Sequence, residues 1–145
     1  MDIESINAEW AEDCKIDRNN LTEETLKTAN LHSKYLQMLM NCKNKYLKYH
    51  NDVAVMRELR SRYYSGQLSV EELYQYGWKQ YQGLKPLKSD LASKLDADSE
   101  LLKLKLKMQY MENMIEQLEY ILQSIKGRDW AVKNHIEYLK FAAGA

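Results

Sequence analysis

The residues with the clearest chemical potential lie between Arg57 and Lys88, where cationic and aromatic side chains alternate around three glycines. Single-stranded nucleic acid binds to such a combination, because cations contact phosphates and flat rings stack on unpaired bases. The segment holds six of the chain's aromatic residues, which number eleven Tyr, three Trp and one Phe in total. We therefore predict a nucleic-acid site here. Its candidate residues are Arg57, Arg60, Arg62, Tyr63, Tyr64, Trp78, Lys79, Lys85 and Lys88.

The cationic residues and the aromatic residues of this segment each also have a purely structural interpretation. Arg57 and Arg60 are three residues apart on one helix face, where cations near the C-terminus interact favourably with the helix dipole. The aromatic residues would then form a local packing cluster that holds the segment in place. Neither group is specific alone, but their joint presence favours a nucleic-acid surface. The aromatic residues in question are Tyr74, Tyr76, Trp78 and Tyr81.

The charge distribution is compatible with a nucleic-acid partner, although the chain has 21 basic and 21 acidic residues. Residues 1–30 contain eight acidic and three basic residues, whereas residues 31–66 contain seven basic and two acidic residues. Salt limits charge effects to about 8–10 Å at physiological ionic strength. For binding a nucleic acid, a local block of basic residues therefore matters more than the net charge of the whole chain.

Other kinds of chemistry have little support. The sequence has no GxGxxG or GxxxxGK[ST] phosphate loop, no HExxH motif and no nucleophile paired with a base. We therefore predict a protein that is not an enzyme and that needs no metal or cofactor. Cys14 and Cys42 fit no CxxC pattern and are expected to be reduced thiols of a cytoplasmic protein. The acidic N-terminus does not fit a signal peptide, and no run reaches the roughly 20 apolar residues of a membrane span.

The elements that must position these residues are predicted to be helices, because one proline and five glycines leave few breaks. Ile3, Ile6 and Trp10 have the spacing of a short first helix. A second helix is predicted to begin near Thr22, with Leu21 as an apolar staple, and to reach about Tyr64. It is either continuous or broken near residues 51–52, where Asn and Asp are good caps. A glycine at position 66 would then stop it.

The central segment is predicted to combine one short helix with a loop. Ser69 followed by Glu72 fits a capping box, which opens a helix to about Tyr76. Two glycines and the only proline then bracket an irregular, flexible surface segment to about Ser89. By sequence character the chain divides into an N-terminal helical part with a basic end (1–66), a basic and aromatic loop region (67–98) and a C-terminal helical part (99–145).

The C-terminal part has the strongest periodicity, an apolar seam spaced by three and four residues over about 25 positions. Because a second apolar line flanks the seam, the helix needs neighbours on both sides, as in a bundle or ring of copies. An alternating strand over residues 102–108 is the competing interpretation. Gly127 is predicted to end the helix, and Asp129 to cap a final one. The predicted oligomerisation residues are Leu101, Leu104, Met108, Met111, Ile115, Leu118, Leu122 and Ile125.

Two segments of the chain are distinctive: the basic helix end and YYSG of residues 60–66, and IKGRDWAVK at residues 125–133. Both resemble segments of the UvsY recombination mediators of large tailed phages. Shorter matches lie at residues 33–35, 102–104, 109–110 and 141–144, so the similarity covers nearly the whole chain. The chain departs from the family's basic motif at Glu58, where that motif can carry a lysine.

The resemblance implies an all-α protein that assembles into a ring of about six or seven subunits. It also implies a mediator without enzymatic activity, which binds single-stranded DNA and helps a RecA-like recombinase displace single-strand-binding protein. These partners place the protein in the cytoplasm of an infected bacterium, and the DNA-binding motif falls on residues 57–62. The alternative function is a helical, oligomeric adaptor that binds proteins rather than DNA.

Overall fold

The computed structural model describes residues 1–144, and these residues form α-helices without any strand. The predicted all-α class is therefore confirmed, and the alternative strand over residues 102–108 is wrong. The helices are α1 (Ile3–Asp13), α2 (Leu21–Tyr64), α3 (Val70–Tyr76), α4 (Lys88–Asp96) and α5 (Ser99–Ala142). By contact the chain forms two compact units: Met1–Asn44 with Met111–Ala145, and Lys45–Tyr110. Within the described range, no helix is long and apolar enough to cross a membrane.

Helix α2 is continuous, which decides between the two forms that the sequence allows at residues 51–52. It begins at Leu21, one residue before the predicted start. It ends as predicted, because Gly66 adopts a left-handed φ of 71°. The Gln67 amide then donates to the Arg62 carbonyl at 2.9 Å, which is a common way to satisfy the last carbonyls of a helix.

The predicted capping box of α3 is present. The Ser69 hydroxyl oxygen accepts a hydrogen bond from the Glu72 amide at 3.1 Å, and the Glu72 carboxylate accepts one from the Ser69 amide at 3.2 Å. Gly77 closes the helix with a φ of 68°. The irregular segment that follows ends at Leu87, and α4 then occupies part of the predicted loop region. No side chain caps the start of α4, so no local sequence signal marks where this helix begins.

The prediction that Gly127 ends a helix and that Asp129 caps another is wrong, because α5 runs unbroken from Ser99 to Ala142. A glycine inside a helix costs only about 1 kcal/mol relative to alanine. The side chains of Ile125, Arg128 and Val132 on either side of it are buried. Their packing therefore holds the helix together through the glycine.

The larger unit has a core of aliphatic and aromatic side chains and a polar edge. The ring of Tyr35 is fully buried and meets Trp10 edge to face at 5.5 Å. Its hydroxyl donates to the Asp13 carboxylate at 2.8 Å, and burial together with this carboxylate raises the pKa of Tyr35. Glu24 forms a buried ion pair with Arg128 in the same unit. These contacts use residues from helices α1, α2 and α5.

The apolar seam of α5 is mostly covered by the chain itself. Leu118 and Ile125 are fully buried, and Leu101, Met111 and Leu122 are also buried. Leu104, Met108 and Ile115 remain half-buried. The seam therefore contributes chiefly to the cores of the units, and its role in contacts between copies stays a prediction.

Candidate nucleic-acid interface

Arg60 lies at the centre of the predicted site, and it is buried rather than exposed. Its Nε donates to the Asp98 carboxylate at 2.8 Å, and the side chains of the two residues are 10% and 0% exposed. Asp98 also caps α5, because its second carboxylate oxygen accepts a hydrogen bond from the Leu101 amide at 3.1 Å. The guanidinium of Arg60 is therefore occupied by a carboxylate from the start of α5.

Aromatic rings surround this guanidinium. The Arg60 Cζ lies 4.2 Å from the centre of the Tyr63 ring and 4.6 Å from that of Trp78. The Tyr64 hydroxyl donates to Asp98 at 2.6 Å, and the Tyr63 hydroxyl donates to the Lys79 carbonyl at 2.6 Å. Such cation–π contacts contribute about 0.5–2 kcal/mol each. We call this group the Arg60 cluster; its members are Arg60, Tyr63, Tyr64, Trp78, Tyr81 and Asp98.

The cluster ties the irregular segment to the end of α2. Tyr81 meets Tyr64 edge to face at 5.0 Å and lies 5.8 Å from Tyr63. The packing interpretation of the aromatic residues is therefore supported, and the rings of Tyr63, Tyr64 and Trp78 are only partly accessible to a base. The Tyr74 ring, in contrast, is largely exposed on α3.

Burial and hydrogen bonding set the charge of the Arg60 cluster. Burial alone would raise the pKa of Asp98, but hydrogen bonds from Tyr64, the Leu101 amide and Arg60 hold that pKa below its ordinary value. Burial and the hydrogen bond to Asp98 raise the pKa of Tyr64. The ion pair is thus charged at neutral pH, and removing one partner would leave an uncompensated buried charge.

The other two predicted arginines are reachable by solvent, although each is near a carboxylate. The Arg62 Nη2 lies 3.2 and 3.1 Å from the two carboxylate oxygens of Glu72. Arg57 pairs loosely with Asp96 at 3.7 Å. Arg57 also lines an open depression of about 320 Å³ together with Ser61. Exposed pairs of this kind contribute only about 0–1 kcal/mol, so a phosphate can compete for these arginines.

The three predicted lysines are the most accessible cations of the site. Lys79 and Lys85 lie in the irregular segment, and Lys88 begins α4. All three are exposed, and none forms an ion pair with any residue in the described part of the chain. Their ammonium groups are free to contact phosphates, and they lie in the compact unit that contains the Arg60 cluster.

Sequence reasoning misses three features of this site. Asp98 could have been found from its position, because Asp before an apolar helical repeat is a good N-cap. Glu72 is recognisable as a capping residue but not as the partner of Arg62. Lys94 lies with its Nζ 5.8 Å from the Tyr64 ring and 5.6 Å from the Tyr81 ring, and no sequence signal indicates this. In the described range, no group of His, Cys, Asp or Glu residues could hold a metal ion.

Comparisons with known proteins agree with the sequence resemblance. Residues 9–145 match the profile of a family described as "Recombination, repair and ssDNA binding protein UvsY". The chain is 28% identical over 144 residues to the recombination protein uvsY of Enterobacteria phage T4, and the alignment covers 99% of each of the two chains.

The fold is similar to crystal structures of the bacteriophage T4 recombination mediator protein UvsY. One of these, in lattice type II, has a TM-score of 0.82 and 26% identity over 99% of this chain and 98% of that chain. Another, in lattice type IV, has a TM-score of 0.82 and 25% identity over 97% of this chain and 99% of that chain.

Proposed function

Because the chain belongs to the UvsY family of recombination, repair and single-stranded DNA-binding proteins, we propose that it acts as a recombination mediator. It binds single-stranded DNA and helps to load a RecA-like recombinase onto strands covered by single-strand-binding protein. Its setting is phage recombination, repair and replication in the cytoplasm of an infected bacterium. Its partners are therefore the DNA strand, the recombinase, the single-strand-binding protein and further copies of itself. The family description names recombination, repair and binding rather than a reaction, and we propose no catalytic role.

One observation supports the proposed DNA-binding site: accessible cations occur in the same compact unit as a packed aromatic cluster. Lys79, Lys85 and Lys88 are exposed, and Arg57 and Arg62 are reachable by solvent. These side chains contact phosphates. Arg60 instead positions the rings and the irregular segment, because its guanidinium is occupied inside the subunit. The site is thus an electrostatic surface held in place by the Arg60 cluster.

A single subunit of this kind offers only a few phosphate contacts, and assembly increases the total affinity. When several copies are joined, binding of the strand to a second copy becomes effectively intramolecular. A strand held across six or seven copies adopts a changed geometry. That geometry loosens a competing single-strand-binding protein and favours the recombinase.

The test is an anisotropy titration of a labelled oligo-dT at several salt concentrations. Changing Lys79, Lys85 and Lys88 together to Ala removes up to three phosphate contacts. The slope of log affinity against log salt should then become shallower by up to about 0.7 for each phosphate that the protein no longer neutralises.

A triple variant of Lys103, Lys105 and Lys107 to Ala is the matched control, because it removes the same charge from α5. This control should keep the slope of the unchanged protein. Equal slopes in both triple variants would show that the lysines of the irregular segment are not the site.

An adaptor function is the second candidate, and exposed aromatic residues on α5 favour it. Trp130 is 69% exposed and Phe141 is 81% exposed, and Tyr138 is exposed on the same helix. Exposed apolar patches commonly mark surfaces that contact another protein. The same titration separates the two functions, since an adaptor would show no salt-sensitive binding of oligo-dT.

A further inference from the structure

We propose that Glu72 is an electrostatic gate on the DNA-binding surface. In the free protein its carboxylate holds the guanidinium of Arg62, and a phosphate of single-stranded DNA takes its place on binding. This inference rests on the proposed function and adds a residue that opposes binding to the residues that favour it.

A single nitrogen of the Arg62 guanidinium holds the Glu72 carboxylate in the free protein. The Arg62 Nη2 lies 3.2 and 3.1 Å from the two oxygens of the Glu72 carboxylate. Phosphate oxygens make charge-assisted hydrogen bonds to the same donor groups. A phosphate that binds at Nη2 therefore displaces the carboxylate from this nitrogen.

Exposure makes this exchange possible at Arg62 but not at Arg60. The Arg62 and Glu72 side chains are 37% and 33% exposed, so water and a DNA strand can reach the pair. The Arg60–Asp98 pair is enclosed by rings and helix ends, and opening it would leave two buried charges unpaired. Arg62 is thus the arginine whose partner can be exchanged, and Arg60 keeps its partner throughout.

Glu72 cannot move far away when Arg62 is released. Its Oε1 also accepts a hydrogen bond from the Ser69 amide, and the Glu72 amide donates to the Ser69 hydroxyl. These hydrogen bonds form the capping box of α3 and fix the carboxylate at the start of that helix. The negative charge therefore stays beside the incoming phosphate and weakens binding even after the exchange.

The variant Glu72→Gln isolates the charge from the cap. A glutamine at this position of a capping box still accepts the Ser69 hydrogen bond, so α3 is kept while the negative charge is removed. We expect oligo-dT to bind about two- to five-fold more tightly at low salt, the range that corresponds to a partly exposed ion pair. We expect the salt slope to stay close to that of the unchanged protein, because Arg62 contacts a phosphate in both complexes.

The variant Glu71→Gln is the matched control. Glu71 is the neighbouring residue in the first turn of α3, it is exposed, and the change alters the net charge by the same amount. A general charge effect would strengthen binding equally in both variants, and that result would overturn the gate.

A double variant tests whether the effect passes through Arg62. Adding Arg62→Gln to Glu72→Gln should abolish the gain in affinity and make the salt slope shallower by up to about 0.7, because the phosphate contact of Arg62 is lost. A gain that persists in the double variant would overturn the proposal, since Arg62 would then not be the released group.

The titration also separates the gate from the function on which it rests. If the unchanged protein fails to bind oligo-dT in a salt-dependent way, the proposed function fails. If the unchanged protein binds and Glu72→Gln behaves like the unchanged protein, only the gate fails. Circular dichroism of each variant should show unchanged helix content.

Discussion

The guanidinium of Arg60 is bonded to Asp98 and lies against the rings of Tyr63 and Trp78, so its charge is balanced inside the subunit. Sequence alone groups it with Arg57 and Arg62 as a DNA contact. Its partner is 38 residues further along the chain, and no local pattern predicts a contact over that distance. Residue types indicate a candidate site, but only the fold separates the two solvent-accessible arginines from the one whose charge is balanced by a buried partner.

At this scale we predict that Asp98→Asn destabilises the protein strongly. The change leaves Arg60 as an unpaired buried cation, which costs about 3–5 kcal/mol. Asp96→Asn is the control, because Asp96 is exposed and lies 3.7 Å from Arg57. Its cost should stay below about 1 kcal/mol in urea unfolding. Similar destabilisation in both variants would show that the Arg60–Asp98 pair is not buried in solution.

The same pair should affect stability in acid. The pKa of Asp98 is lower in the folded chain than its ordinary value of 3.8, so the unfolded chain binds the proton more readily. This contribution to the free energy of unfolding is complete above pH 3.8 and disappears as the pH falls through the lower pKa of the folded protein. Asp98→Asn should therefore show a shallower decline of stability below about pH 4. Some decline should persist, because the pKa of Asp13 is also lowered.

At the scale of the elements, strong local signals predict the structure correctly and weak ones do not. The capping box at Ser69 and the left-handed Gly66 depend on hydrogen bonds between near neighbours, which sequence spacing reveals. Helix α4 has no capping side chain, and the sequence does not predict it. A local rule predicts a break at Gly127, but buried neighbours on both sides outweigh the small cost of one glycine.

Gly127→Ala should therefore stabilise α5. The new methyl group would meet no atom within 4 Å. Inside a helix, alanine is more favourable than glycine by about 0.5–1 kcal/mol of folding free energy. Gly66→Ala is the opposite control: it also meets no atom within 4 Å, but its φ of +71° strains an alanine by about 1–2 kcal/mol. Urea unfolding should show a gain in stability for the first variant and a decrease for the second. A decrease at Gly127 would mean that α5 is broken there in solution.

At the scale of the whole molecule, the seam of α5 serves the folding of each subunit, which changes how self-association must be tested. Leu118 is 0% exposed, so a charge there would unfold the subunit before it revealed anything about contacts between copies. Large apolar side chains that remain exposed on α5 are better candidates, because burying them against another copy removes apolar surface from water. Trp130 and Phe141 are the most exposed aromatic residues among these.

We predict that Trp130→Glu combined with Phe141→Glu lowers the mass of the proposed assembly in sedimentation while the helix content stays unchanged. Affinity for a long oligo-dT should fall with it, because contacts of separate subunits no longer reinforce one another, whereas an oligo that spans one subunit should bind as before. Leu26→Glu is the control, since Leu26 is an exposed apolar residue on α2 of the same unit and should leave the mass unchanged. If the unchanged protein sediments as a single chain, the proposed assembly fails. If the unchanged protein assembles and the double variant keeps the full mass, copies associate through another surface, and the half-buried seam residues Leu104, Met108 and Ile115 become the next to test.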